Sequence, residues 1–125
     1  MALVVLKNTP IHAVVKVTGV GAQTIALATD LLHTNQTAAT PTVNISAIHW
    51  AVPGTTGATI KRNNVTQWPL VGAYSHQFNG FSDNTLNTYD IVVTIPAEGG
   101  TVILELLKVS GYGNTQHRNP SDGEP

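Results

Sequence analysis

Apolar and polar residues alternate with a period of two from His12 to Val109, β-branched side chains are prominent, and helical periodicity is nearly absent. In His12 to Thr18, Ala13, Val15 and Val17 share one face while His12, Val14, Lys16 and Thr18 share the other, which predicts a half-buried strand. Gly19-Val20-Gly21 interrupts it, and Gln23 to Ala28 resumes with Ile25 and Leu27 inward, so the two segments predict a hairpin. Two helical turns over Ala26 to His33 fit less well, because the residues before them suit a strand and a Thr/Asn run follows. Thr34 to Pro41 is a loop.

Thr42 to Val52 is the longest strand, and its apolar phase changes partway. Val43, Ile45 and Ala47 face one side and Ile48, Trp50 and Val52 the other, which predicts a β-bulge near Ala47 or burial on both faces. Gly57 to Arg62 and Val65 to Leu70 flank Asn63-Asn64, and asparagine tolerates the positive φ of a two-residue type I′ hairpin. Pro69 puts the end of that second strand at an edge. Tyr74, His76 and Phe78 alternate on one face of the next strand, and a polar excursion runs from Ser82 to Tyr89. Asp90 to Ile95 and Thr101 to Val109 are the strongest strands, joined at Glu98-Gly99-Gly100 into a final hairpin. About eight strands on short turns predict an all-β, single-domain antiparallel β-sandwich, jelly-roll-like in character. The sandwich is placed at residues 12–109, with an N-terminal arm at 1–11 and an extended tail at 110–125. The tail has nothing to bury and is expected to be disordered alone.

A chain of 125 residues suits one domain, and the absence of cysteine removes disulfides, thiolate metal ligands and a thiol nucleophile. Charge changes the picture most. Six Lys or Arg and seven Asp or Glu make 10% of the chain, well under the usual quarter, and Thr and Asn supply the polarity instead. With a net charge of −1, nucleic acid and anionic membrane are not expected as partners. Met1 to Leu6 is apolar but lacks a preceding basic segment and is interrupted by Lys7, so it reads as an edge strand or arm rather than a leader. No window has the length of a membrane helix, which suggests a soluble protein or part of a soluble assembly.

No enzyme is expected. The five histidines, His12, His33, His49, His76 and His117, fall on different elements without metal-ligand spacing, so neither a metal nor a cofactor is expected. No Gly-x-Ser-x-Gly elbow occurs. The Asp83 to Asp90 loop is rich in oxygen ligands but lacks the glycine and closing glutamate of an EF-hand, and an Asx-rich turn explains it better than an ion site. Asn35, Asn44 and Asn64 begin glycosylation-type sequons that an Asn/Thr-rich chain produces by chance. Lys61-Arg62 is too small a basic cluster for nucleic acid, and Gly19-Val20-Gly21 leads into a strand rather than the helix of a phosphate loop. Trp50, Trp68 and Tyr74 form a possible aromatic platform for sugar stacking. Against it, Trp50 follows a core phase and Trp68-Pro69-Leu70 looks like a packing plug.

The ordered strand-and-turn motifs carry a resemblance. Ala13 to Gly19, Pro41 to Trp50, the Ile60–Leu70 hairpin, Asn79 to Asp83, Asp90 to Ile95 and Gly99 to Gly113 together resemble small virion structural proteins of T4-like tailed phages infecting marine cyanobacteria. The likeness spans Ala13 to Gly113 and carries no active-site residues. It implies a non-enzymatic virion component, foremost a capsid decoration or cement protein on the outer surface of the head, assembled in the bacterial host cytoplasm. A neck, tail or baseplate protein, or a host-glycan-binding module, is the alternative. The partners implied are the major capsid protein or other virion proteins, and further copies of the chain as a homo-oligomer or multicopy lattice. In that role Ala2, Leu3, Val4, Val5 and Leu6 of the arm are expected to add a strand to a neighbouring sheet. Tyr112, His117, Arg118 and Pro120 of the tail are expected to lie across an adjacent shell protein. The low charge implies attachment that salt disturbs little.

Overall fold

The computed structural model describes residues 2–34, 36–78 and 81–113. Nine strands form among these residues: β1 (Ala2–Asn8), β2 (His12–Thr18), β3 (Gly21–Ile25), β4 (Thr42–Val52), β5 (Ala58–Arg62), β6 (Val65–Leu70), β7 (Gly72–Gln77), β8 (Ile91–Ile95) and β9 (Thr101–Ser110). They build two antiparallel sheets, one in the order β1-β2-β9-β4-β7 and the other β3-β8-β5-β6. The inward residues of both sheets interlock as one core, with Val15, Val17, Ile45, Ile48, Leu104 and Leu106 from the first meeting Ile25, Ile60, Ile91 and Val93 from the second. This is the β-sandwich that the alternation predicts.

The ninth strand is the expected arm. Residues 2–8 pair with β2 from Ala2↔Thr18 to Asn8↔Ala13, and Leu3 and Val5 pack against the core. The described part of the arm expected at 1–11 is therefore the edge of the domain itself. Its apolar alternation matches the pleat of the sheet beside it, so its own chain satisfies it first. The domain also runs past Val109, because Tyr112 is completely buried and its hydroxyl donates to the Leu27 carbonyl at 2.5 Å. Gly111, at φ +84°, permits this return; a side chain there would collide with the Thr40 carbonyl.

Two expected hairpins are sheet crossings. β2 and β3 belong to different sheets, as do β8 and β9. Gly19 and Gly21 both adopt positive φ, and the Gly19 amide donates to the Gly100 carbonyl, so the two crossings brace each other at one end of the sandwich. A glycine-rich turn reverses the chain without specifying which layer receives it. Asn63-Asn64 behaves as expected, with φ of 51° and 59° and Arg62 paired with Val65. The expected β-bulge is present as a register shift between Ile45 and Ala47 against β9, where the Ser46 hydroxyl donates to the Glu105 carbonyl. After Ile25 the chain leaves its strand earlier than expected. The Asp30 amide donates to the Ala26 carbonyl and the Ala26 amide to Asp30 Oδ2, a single turn that lets Leu27 and Leu31 close the end of the core.

Arg62, which closes β5, is fully buried. Its guanidinium donates through Nε and Nη2 to the Tyr89 carbonyl, through Nη1 to that of Val43 and through Nη2 to that of Asn87, at 2.7–3.0 Å. Burial pulls its pKa down to about 10, against the opposing pull of Asp83, Asp90 and Tyr112, so it remains charged at neutral pH. Arg62→Met removes four hydrogen bonds from a closed site and is expected to destabilise the fold by roughly 3 kcal/mol or more. Arg62→Lys should recover only part of the loss, since a point charge cannot reproduce the planar fork. Urea unfolding that leaves either variant within about 0.5 kcal/mol of the parent would contradict this role.

Candidate functional site

The β-bulge decides what emerges on the outer face of the five-stranded sheet. Beyond it Ile48 turns into the core and His49 turns out, opposite Ile103 of β9 and Ser75 of β7. His49 Nε2 lies 2.6 Å from Glu105 Oε2, and a carboxylate cannot donate, so Nε2 carries the hydrogen. His49 lines a shallow trough of about 480 Å³ together with Trp50, Ala51, Ala73, Tyr74, Ser75, Thr101 and Ile103. Among the described residues no hydrogen bond joins Ser75 to His49, so the three side chains lie near one another without forming a nucleophile and base. Both members of the pair are partly exposed, and such a pair contributes little to stability. The lining of the trough is mostly apolar, with the Ser75 and Thr101 hydroxyls and the His49 ring as its polar groups. Sequence reasoning missed the pair because 56 residues separate His49 from Glu105, and the only signal was the phase change near Ala47.

The opposite face of β7 carries the aromatic residues. Tyr74 packs on Trp50 at 6.1 Å between ring centroids, and Trp68 of β6 meets His76 at 5.4 Å and Phe78 at 5.6 Å. His76 and Phe78 are themselves 4.7 Å apart. Trp50, Trp68 and Tyr74 thus fall into two ring clusters along one strand rather than one shared platform. Both indoles are tied inward, Trp50 Nε1 donating to the Val71 carbonyl and Trp68 Nε1 to Asp83 Oδ2. Tyr74 is the exposed member, at 67%.

The oxygen-rich loop is consumed by the fold. Asp83 pairs through its backbone with Ile45, and its Oδ1 accepts from the Thr85 amide in an Asx turn. Burial would raise the Asp83 carboxyl, but hydrogen bonds from Thr85 and Trp68 and the charge of Arg62 outweigh it and leave the pKa lowered. Asn87 donates to Asn44 Oδ1, Asn44 donates to Ser82, and Asp90 Oδ1 accepts from the Leu27 amide rather than capping its own strand. Among the described residues no three His, Asp or Glu side chains come together as a metal site.

The expected assembly residues divide. Ala2, Leu3, Val4, Val5 and Leu6 line the free edge of the first sheet, with Val4 45% and Leu6 53% exposed. Tyr112, expected to touch a partner, is sealed inside the domain, its hydroxyl bonded to the Leu27 carbonyl and its ring lying under the Lys108 ammonium. His117, Arg118 and Pro120 lie outside the described residues.

No family model, curated protein or solved structure matches this chain.

Lys108 occupies a core-facing position of β9 and is only 2% exposed. Its ammonium donates to Asn8 Oδ1 and Gln36 Oε1 and sits 5.0 Å from the centre of the Tyr112 ring, and among the described residues no carboxylate pairs with it. Burial pulls its pKa from 10.5 down to about 8. Below pH 8 the folded state bears the whole cost of the buried charge. Between pH 8 and 10.5 the unfolded chain holds a proton that the folded chain has released, so stability rises with pH. Burial moves Tyr112 the other way, raising its pKa, and that opposes the trend only above pH 10. Unfolding free energy is therefore expected to increase by about 1–2 kcal/mol from pH 7.5 to 9.5. Lys108→Met should abolish that slope, and an equal slope in the variant would contradict the assignment.

Proposed function

We propose that this protein is a non-enzymatic structural component of a phage virion, a capsid decoration protein that binds the outer surface of the head and stabilises it. The observation that carries the reading is the free apolar edge at β1. Val4 and Leu6 are exposed on a terminal strand whose outward amides and carbonyls are open to a further strand. A rigid sandwich with such an edge can bury surface across a junction between capsid subunits, adding binding free energy without any chemical step. The resemblance to virion proteins of T4-like cyanophages supports the same role, with the major capsid protein as partner. So does the near-neutral surface, which lets many copies sit side by side.

A host-glycan-binding module is the second reading, favoured by the exposure of Tyr74 at the end of the aromatic row. Saturable binding on a glycan array, lost in Tyr74→Ala, would favour it over the first.

β1 is integral to the sheet, so charge placed on its exposed side chains tests the role better than truncation. Val4→Lys together with Leu6→Lys should leave each site within about 0.5 kcal/mol of parental stability. Occupancy on expanded heads should fall at least tenfold, while parental protein should be retained almost equally at low and high ionic strength. Undiminished occupancy by the double variant would overturn the proposal.

A further inference from the structure

The two sheets end in four edge strands, and three carry features that disfavour flat pairing with the same strand of a second copy. β1 is broken by a register shift between Val5 and Lys7 and carries a lysine at the break. β6 contains Pro69, and a register shift opposite Ile60 and Lys61 leaves Gln67 unpaired. β3 has only five residues. β7 has none of these. It pairs with β4 in unbroken register from Ala47↔Gln77 to Val52↔Gly72, with no proline, carboxylate, lysine or arginine in it.

β7 is also uncovered. From Ala73 to Gln77 every residue is exposed, although Trp68 of the second sheet rests against the His76 ring. Among the described residues its backbone has no strand partner beyond β4. Unpaired amides and carbonyls on a flat edge of this kind are a template for another strand.

We infer that β7 is a self-association edge, pairing antiparallel with β7 of a second copy so that the two five-stranded sheets become one continuous sheet. Two features select a second copy as the occupant. The run from Asn63 to Ser82 holds no Asp, Glu, Lys or Arg, so two copies meet there without like-charge repulsion. The strand is also self-complementary. A twofold axis through Ser75 sets Tyr74 of each copy opposite His76 of the other on the aromatic face, and Ala73 opposite Gln77. Each copy's Trp50–Tyr74 stack would then continue into the His76–Phe78–Trp68 cluster of its mate, a cross-strand aromatic pairing of the kind that stabilises sheets. The inference stands apart from the virion reading, which uses β1.

Sedimentation equilibrium of the full chain should show a concentration-dependent dimer. Ser75→Lys places like charges across the axis and should weaken the dimer at least tenfold, whereas Val4→Lys with Leu6→Lys should leave it unchanged. The chain has no cysteine, so a single introduced thiol reports the register. Directly opposed residues have Cβ atoms about 4.5–5.5 Å apart, and Ser75→Cys should therefore oxidise to a covalent dimer while Val4→Cys stays monomeric. A monomer at every concentration, a dimer indifferent to Ser75→Lys, or equal cross-linking by Val4→Cys would each overturn the inference. Loss of head binding with the dimer intact would instead concern the β1 reading alone.

Discussion

A guanidinium that is fully removed from water must find acceptors for its donors, and in this protein Arg62 finds them on backbone carbonyls of three separate residues. That requirement ties the end of β5 to the start of β4 and to the loop before β8. The loop, held by Asn87 and Tyr89, presents Asp83 where it can pair with Ile45 and accept from Trp68. Trp68, held in turn, supplies the ring against which His76 and Phe78 rest. The position of β7, a strand with little cover of its own, thus traces back through three contacts to one buried charge.

Lys108 imposes a second constraint at the other side of the core. Its ammonium draws Asn8 from the first strand and Gln36 from the long loop, and the ring of Tyr112 closes over it. Three segments far apart in sequence converge because a buried cation needs oxygens to accept from it and gains from an aromatic face. The ends of the described chain are for this reason part of the folded unit. A decoration protein built this way would present its partners with preformed strands rather than segments that order on contact, which lowers the entropic cost of attachment.

The surface divides by function along similar lines. Carboxylates and indole donors that resembled ligand-binding groups in isolation are spent on internal hydrogen bonds. On the sheet edges the exposed side chains are mostly apolar or uncharged, Lys7 excepted, and the His49–Glu105 pair lies on the outer face. Such a surface suits association through backbone pairing and close contact, where specificity comes from shape and register rather than from charge.

Alternation with a period of two was enough to determine an antiparallel sandwich, the bounds of β2, β4 and β6, the Asn63-Asn64 turn and the bulge in β4, because each depends on neighbours within a few residues. The layer to which each strand belongs was not legible there. Gly19 to Gly21 and Glu98 to Gly100 look like hairpin turns, and only packing of the two layers made them crossings. The candidate sites were hidden for the same reason. Glu105 reaches His49 through strand register, and Tyr112 reads as part of a coreless tail until Leu27 and Lys108 supply its pocket. Arg62 and Lys108 are the plainest case. Sequence position alone marks a cation as surface, and only the tertiary structure, by bringing uncharged oxygens from distant segments around it, makes its burial affordable.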